Sequence, residues 1–466
     1  MNVEPSLRTE SGPGCRGRQL PPRFWTYVIG ALGGLLFGYD TGIIAGAILF
    51  IRQDFRLNPL EQGLVVSSLV LGAVGGAVTA GYLSDRFGRR RLLLLAGAVY
   101  AGGAMGSALA PSVTVLIGFR LLLGLAVGVS SVLVPLYLSE MAPTPVRGAL
   151  SSLNQLMISS GIFVSYLITF LLSGSGDWRV MLGLAAVPAI LMLVGLSFQD
   201  ESPRWLVARG RTEEARAVLT RTHGPGEVER EIAEMHQAIR VSSTFGIFEL
   251  LRMRWLRRGL LLAAMLAIFQ QLVGINTIVY YAPTILSAAG FGKSAAILNS
   301  VGLASLSIIA TVITASIVDR VGRRPLMLGG LVGMVVSMAM IGLMFFSSSL
   351  HTTDGKIIAV TCLAVFKFAF SLSWGPLVWV MLPELLPLHV RGTAMGGAVF
   401  LNWATNFVVS LLFPMLLAAG AGSVFELFAG FGLIAFVLTA KWLPETSGRS
   451  LEMIELQQFS KNESDI

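Results

Sequence analysis

The chain has 466 residues, of which 54% are hydrophobic and only 13% charged, with a mean hydropathy of +0.74. Soluble domains carry about a quarter charged residues, so a water-soluble globular fold is excluded. The formal net charge of +8 would suit nucleic acid, but the basic residues gather in short loops between apolar runs, a distribution that excludes that class of partner.

Residues 1–23 form a polar, Pro- and Gly-rich tail with Arg8, Arg16, Arg18 and Arg23. The apolar run that follows, 24–50, is too long to be the core of a cleavable signal. Eleven further apolar segments lie at 62–83, 92–110, 114–138, 149–172, 178–198, 258–287, 295–318, 325–347, 356–383, 393–418 and 424–444. About 20 apolar residues cross a hydrocarbon core about 30 Å thick, so an all-α integral membrane protein with twelve spans is expected. Cys15 falls in the tail and Cys362 in a span, so no disulfide is expected.

The long hydrophilic stretch 199–257 divides the twelve spans into halves, 24–198 and 258–444, and 445–466 forms a C-terminal tail. Runs such as Arg211–Arg216 and Glu227–Glu231 place opposite charges at helical spacing, so the stretch reads as short helices, either a solvated linker or a regulatory segment. Arg86, Arg89, Arg90 and Arg91 follow the second span, and Arg320, Arg323 and Arg324 follow the eighth. The opposite loops hold only Arg52, Arg56, Arg179, Lys293 and Lys356. Short basic loops stay in the cytoplasm, which puts both termini inside a cell membrane.

The halves repeat one another. Gly81–Arg90, with Asp85, Arg86, Gly88, Arg89 and Arg90, recurs as Ala315–Arg324, with Asp319, Arg320, Gly322, Arg323 and Arg324. Glu140 and Arg147 recur as Glu384 and Arg391 at the same mutual spacing. Two six-span halves with both termini on one side are parallel repeats, an arrangement that suits a solute held between rocking halves. The paired acids and arginines are candidate ion-pair clusters that hold the cytoplasmic side closed in one conformation; positive-inside anchoring is the plainer role for them.

These motifs resemble the loop signature of the major facilitator superfamily. Further pieces are similar to its sugar porter family: Pro143–Gly148, Glu201-Ser-Pro-Arg204-Trp205, Gln270-Gln271-Leu-Val-Gly274-Ile-Asn276 with Tyr280 and Tyr281, Trp374–Trp379, and Pro444–Arg449. The resemblance runs from about residue 24 to 456. Glu201 and Glu445, from two of these motifs, join Asp85, Arg89, Arg90, Glu140, Arg147, Asp319, Arg323, Arg324, Glu384 and Arg391 as the candidate gate.

Polar groups inside spans are costly and usually functional. On an unbroken helix Gln271 and Asn276 would point about 140° apart; Gly274 between them and Pro283 beyond predict a break that turns both toward one cavity. Amides donate and accept as hydroxyls do and carry no charge to desolvate, so they suit a sugar, although they also serve as glue between helices. Trp374, Trp379 and Trp403 offer apolar ring faces. The resemblance implies sugar contacts at Gln155, Gln270, Gln271, Asn276 and Asn402, with Trp379 beside them and Phe37 lining the cavity. Its usual sugar-binding Asn falls at Ser307, which is a departure.

Asp40 in the first span and Arg120 in the fourth lie at depths, roughly 15 and 9 Å from the outer end, that let them meet. Such a pair is either a static structural contact or a proton coupler, in which the acid exchanges its proton as the arginine approaches and withdraws. The resemblance favours coupling. Lys367 in the tenth span has no obvious partner and either snorkels along its helix or faces a wet cavity. His389 reads as surface and Glu426 as interfacial.

The expected function is proton-coupled symport of a monosaccharide, a hexose or a pentose, by a monomer that works in a lipid bilayer. A passive sugar or polyol facilitator is the alternative; a non-transporting sugar sensor is a weaker one, because the sensors of the family that this chain resembles typically carry long cytoplasmic tails. No nucleophile–base pair, metal-ligating cluster or phosphate loop stands in the chain, so neither enzyme chemistry nor a cofactor nor a metal is expected.

Overall fold

A computed structural model describes residues 24–141, 147–221, 227–241, 256–347, 352–386 and 391–445, and the regular elements among them are helices. The first half contributes α1 (Phe24–Asp54), α2 (Pro59–Phe87), α3 (Arg89–Ala108), α4 (Val113–Met141), α5 (Arg147–Leu171), α6 (Trp178–Gly183) and α7 (Ala186–Ser197). Three short helices follow: α8 (Pro203–Ala208), α9 (Thr212–Thr220) and α10 (Glu227–Val241). The second half contributes α11 (Arg257–Leu272), α12 (Ile275–Ala288), α13 (Lys293–Val321) and α14 (Arg323–Phe346). It ends with α15 (Thr353–Leu372), α16 (Trp374–Leu385), α17 (Arg391–Ala419) and α18 (Ala421–Trp442).

Among the described residues, twelve stretches are long and apolar enough to cross a membrane. Three of them are composite: α6 with α7, α11 with α12, and α15 with α16. The break expected in the seventh span falls at Val273 and Gly274, where Gly274 takes a left-handed φ of 91° that side chains resist. Pro283 lies inside α12 and is not the break. The tenth span breaks as well, at Ser373, between α15 and α16.

Local chemistry sets the helix ends. Asn58 and Glu61 form a reciprocal capping box at the start of α2, with Pro59 at a first-turn position where no amide donor is lost. Gly88 ends α2 and opens α3 in one residue, with φ of 98°, and Gly322 does the same between α13 and α14, with φ of 93°. Thr352 caps α15, and Asp177 caps α6.

Packing within the bilayer follows from small residues, because lipid tails offer no hydrophobic drive between helices. Glycines at 34, 38, 42 and 46 make one stripe on α1 that lies against α5. A methyl group at Gly38 would sit 2.0 Å from the Ile158 carbonyl oxygen, so the two backbones are in direct contact. Gly72 and Gly124 bring α2 and α4 together in the same way. Large apolar side chains such as Leu95, Val194, Leu261, Leu343 and Leu433 point outward, as lipid-facing residues do. The halves meet through α1 and α12, α5 and α13, and α2 and α17.

Candidate functional site

The helix break at Gly274 builds the first part of the site. Gln270 and Gln271 end α11, and Asn276 begins α12. Turning the chain at Gly274 removes the separation an unbroken helix would impose, and Asn276 Nδ2 donates to Gln271 Oε1 at 2.8 Å. Gln271 Nε2 donates to Asn402 Oδ1 on α17 at 3.0 Å, and Asn402 Nδ2 donates to Gln270 Oε1 at 2.8 Å. Gln270 Nε2 then donates to the Trp374 carbonyl, 3.0 Å away at the break between α15 and α16. Four amides from three helices thus form one directed chain. Gln270, Gln271 and Asn402 are buried, and Asn276 is its half-buried end.

Phe37 on α1 packs edge-on against Trp403 on α17, with ring centroids 5.5 Å apart. The contact crosses between the halves beside Asn402. Trp374 is fully buried and donates through Nε1 to the Met327 carbonyl, which pins the start of α16. Trp379 is 38% exposed and is not among the residues that line the cavity described next.

Gln155 stands apart from the amide chain. It lines a cavity of about 60 Å³ walled by α5 from the first half and by α13, α15 and α16 from the second. Ser307 and Lys367 share that wall. Gly375 joins the two regions: it lines the cavity, and its carbonyl lies 3.4 Å from Gln270 Nε2. Lys367 is 8% exposed and does not snorkel along a lipid-facing surface; of the two sequence alternatives, the structure gives the cavity.

Asp40 and Arg120 meet. Arg120 Nη2 lies 3.4 Å from Asp40 Oδ2, and both side chains are almost wholly buried. Arg120 Nε also donates to the Val65 carbonyl on α2 at 2.6 Å, whereas its Nη1 is buried without a partner. The carboxylate is therefore held by one long contact, and the guanidinium is anchored elsewhere. Asp40 stands one helical turn beyond Phe37 on α1.

The charged motifs at the basic ends repeat in three dimensions. Arg89 Nε donates to Glu140 Oε2 at 3.0 Å, and Asp85 pairs with Arg89 at 3.2 Å. In the second copy Arg323 lies 3.8 Å from Glu384. Each pair joins elements of one half. Glu201 accepts from the backbone amides of Arg89 and Arg90, both at 2.9 Å, at the start of α3. Glu445 accepts from those of Arg323 and Arg324, both at 3.0 Å, at the start of α14. A carboxylate at a helix N-terminus satisfies orphan amides and interacts favourably with the positive end of the helix dipole. Both turn glycines sit beneath these carboxylates, leaving no room for a methyl group at Gly88.

Arg90 and Arg324 do a different task from Arg89 and Arg323. Arg90 donates to the Leu196 carbonyl at the end of α7, and Arg324 to the Ala440 carbonyl near the end of α18. Sequence reading missed this helix-capping geometry, and also Ser202, which donates to Glu140, and Trp205, whose Nε1 donates to the Asp85 carbonyl at 2.8 Å. The serine and tryptophan of the Glu201–Trp205 motif were the available signal. Through them α8 docks on the first half. The side chains of Arg147, Asp319 and Arg391, like His389, Cys15 and the two tails 1–23 and 446–466, lie outside the described residues.

Comparison with known proteins bears on this arrangement. Residues 26–457 match the family model described as Sugar (and other) transporter. The chain is 44% identical over 449 residues to the D-xylose transporter of Levilactobacillus brevis, covering 95% of this chain and 97% of that one. It is 43% identical over 437 residues to the glucose transporter GlcP of Staphylococcus epidermidis, covering 93% and 97%. Among solved structures, the xylose transporter XylE from E. coli in a partially occluded inward open conformation superposes with a TM-score of 0.81 at 30% identity, covering 92% of this chain and 99% of that one. XylE described as a proton:xylose symporter bound to 6-bromo-6-deoxy-D-glucose gives 0.76 at 31% identity, covering 93% and 98%.

Proposed function

Because the chain belongs to the Sugar (and other) transporter family, we propose that it carries a monosaccharide, a hexose or a pentose, across the cell membrane together with a proton. The relatives named above carry glucose or D-xylose, and the XylE symporter couples xylose to protons. One observation supports coupling in this chain most directly. The buried Asp40–Arg120 pair lies one turn along α1 from Phe37, whose ring packs on Trp403 beside the amide chain. A proton on Asp40 removes its attraction to Arg120 and frees α1 to shift, and that shift reaches the amides through the Phe37–Trp403 contact.

The amides Gln270, Gln271, Asn276 and Asn402, with Gln155 across the interface, are the solute ligands in this reading. A sugar replaces bonds that the amides otherwise make to one another, at small net cost, since each exchange is hydrogen bond for hydrogen bond. Asp40 with Arg120 handles the proton. The basic loops are cytoplasmic, so both termini are inside and the chain works as a monomer with 24–198 and 258–444 as its two moving bodies.

With that orientation, contacts between the halves gather at the outer ends: Ser173 meets Ser294 at 3.1 Å, and Lys293 reaches Gln53. The TM-score of 0.81 to XylE in both its partially occluded inward open and its inward open conformations supports a conformation closed to the outside. The Arg89 and Arg323 clusters then brace each half as it rocks. Purified protein in liposomes tests the coupling: an imposed inward proton gradient is expected to drive sugar above its outside concentration. Accumulation that survives collapse of the gradient by an ionophore would refute symport.

A further inference from the structure

Lys367 is the group that the sugar and proton sites leave unexplained. It sits near mid-depth in the tenth span, about 21 Å along α15 from Thr353. It is 8% exposed, and among the described residues it makes neither an ion pair nor a hydrogen bond. An ionisable residue inside a membrane span is costly, and one that faces a cavity marks a path for substrate or ions.

The surroundings of Lys367 define that substrate or ion. The polar wall of the cavity is Gln155, Ser159, Ser307, Thr311, Lys367 and Ser371, with no acidic residue among the described lining. Asp40, the buried acid nearest in chain depth, is already engaged with Arg120. The Gln155 amide forms no hydrogen bond within the described chain and faces the same space. About 60 Å³ accommodates a few water-sized groups, the size of a carboxylate with a neighbouring hydroxyl. A single ammonium matches a singly charged carboxylate; a phosphate, near −2 at neutral pH, would be left half-compensated.

We propose that the transported monosaccharide carries a carboxylate, as in a hexuronate, and that Lys367 is the residue that recognises it. The acid end enters the cavity between α5, α13 and α15, where Lys367 pairs with the carboxylate. Gln155 and the serine and threonine hydroxyls take the adjoining sugar hydroxyls. The ring extends past Gly375, whose carbonyl is shared with Gln270, toward the amide chain. This inference rests on the sugar-transport reading of the site and narrows it to acidic sugars.

The test uses the purified full-length protein in liposomes, with D-glucuronate, D-galacturonate, the neutral hexoses D-glucose and D-galactose, and acetate as competitors. Wild type is expected to bind a uronate at least tenfold more tightly than the parent hexose, with acetate ineffective. In Lys367→Met the ratio of uronate to hexose affinity is expected to fall tenfold or more, and Lys367→Arg is expected to restore part of it. Wild type that binds neutral hexoses but ignores uronates overturns the inference and leaves sugar transport standing. So does a Lys367→Met variant that loses both classes equally, or acetate competing as well as the uronate. If neither acidic nor neutral sugar binds wild type, the sugar reading itself falls and takes this inference with it.

Discussion

Asp40 and Arg120 share one contact of 3.4 Å in a buried site, while the second guanidinium nitrogen of Arg120 stays unpartnered. A pair held that loosely changes state when a proton arrives, whereas a bidentate pair would resist. Asp40→Asn mimics the protonated acid permanently. Uphill uptake is expected to vanish while counterflow of sugar down its gradient persists; retained accumulation in that variant would remove Asp40 from coupling. Gln271 is the middle of the amide chain, bonded to both Asn276 and Asn402. Gln271→Ala removes about one net hydrogen bond, worth about 1–1.5 kcal/mol. Sugar affinity is therefore expected to fall roughly five- to twelvefold, read by equilibrium binding, and an unchanged affinity would take Gln271 out of the site. Both residues were legible as polar groups in apolar spans. Their partners were less so: depth brought Asp40 and Arg120 within reach of each other, but the Arg120 bond to Val65 depends on helix rotation that sequence does not carry.

At the scale of elements, the helices are set by two different kinds of signal. Span existence follows from the cost of unpaired backbone in hydrocarbon, which any run of about 20 apolar residues meets by forming a helix. Helix contacts follow from glycine stripes, whose spacing is visible but whose partner is not. The stripe on α1 could have faced α4 or α12, and the structure gives α5. Gly38→Val would drive a side chain into the Ile158 backbone, at a cost of about 1–3 kcal/mol. Gly81 has open space at its Cα, so Gly81→Val is the matched control. The first variant is expected to melt several degrees lower in detergent and the second to match wild type; equal melting would mean that α1 and α5 can separate without cost. Of the two broken spans in the second half, the seventh was foreseen from Gly274. The tenth carries a signal too, Gly375-Pro376: Pro376 has no amide to bond to the carbonyl of Leu372, where α15 ends, and packing completes the break by pinning Trp374 to Met327.

For the whole molecule, the contacts between halves that the proposed orientation places outside offer a lock. Ser173 and Ser294 have hydroxyl oxygens 3.1 Å apart, across the interface between α5 and α13. Cysteines at both positions bring their sulfurs close to bonding distance, about 2.05 Å. The Ser173→Cys/Ser294→Cys double variant is expected to lose transport on oxidation and regain it with a reductant, while either single variant stays active. An oxidised double variant that still transports would rule out separation of these ends during the cycle.

The sequence by itself determined the twelve spans, the repeat and the family. Each of these depends on local quantities: hydropathy over about 20 residues and motif spacing. Only the tertiary structure decided which interior polar groups face one another. It joined Asn276 to Gln271 by a turn at Gly274, made Glu201 and Glu445 into helix caps, and turned Lys367 into a cavity. The physical reason is that a helix in lipid can present any face inward until its neighbours are placed, and those neighbours come from distant parts of the chain.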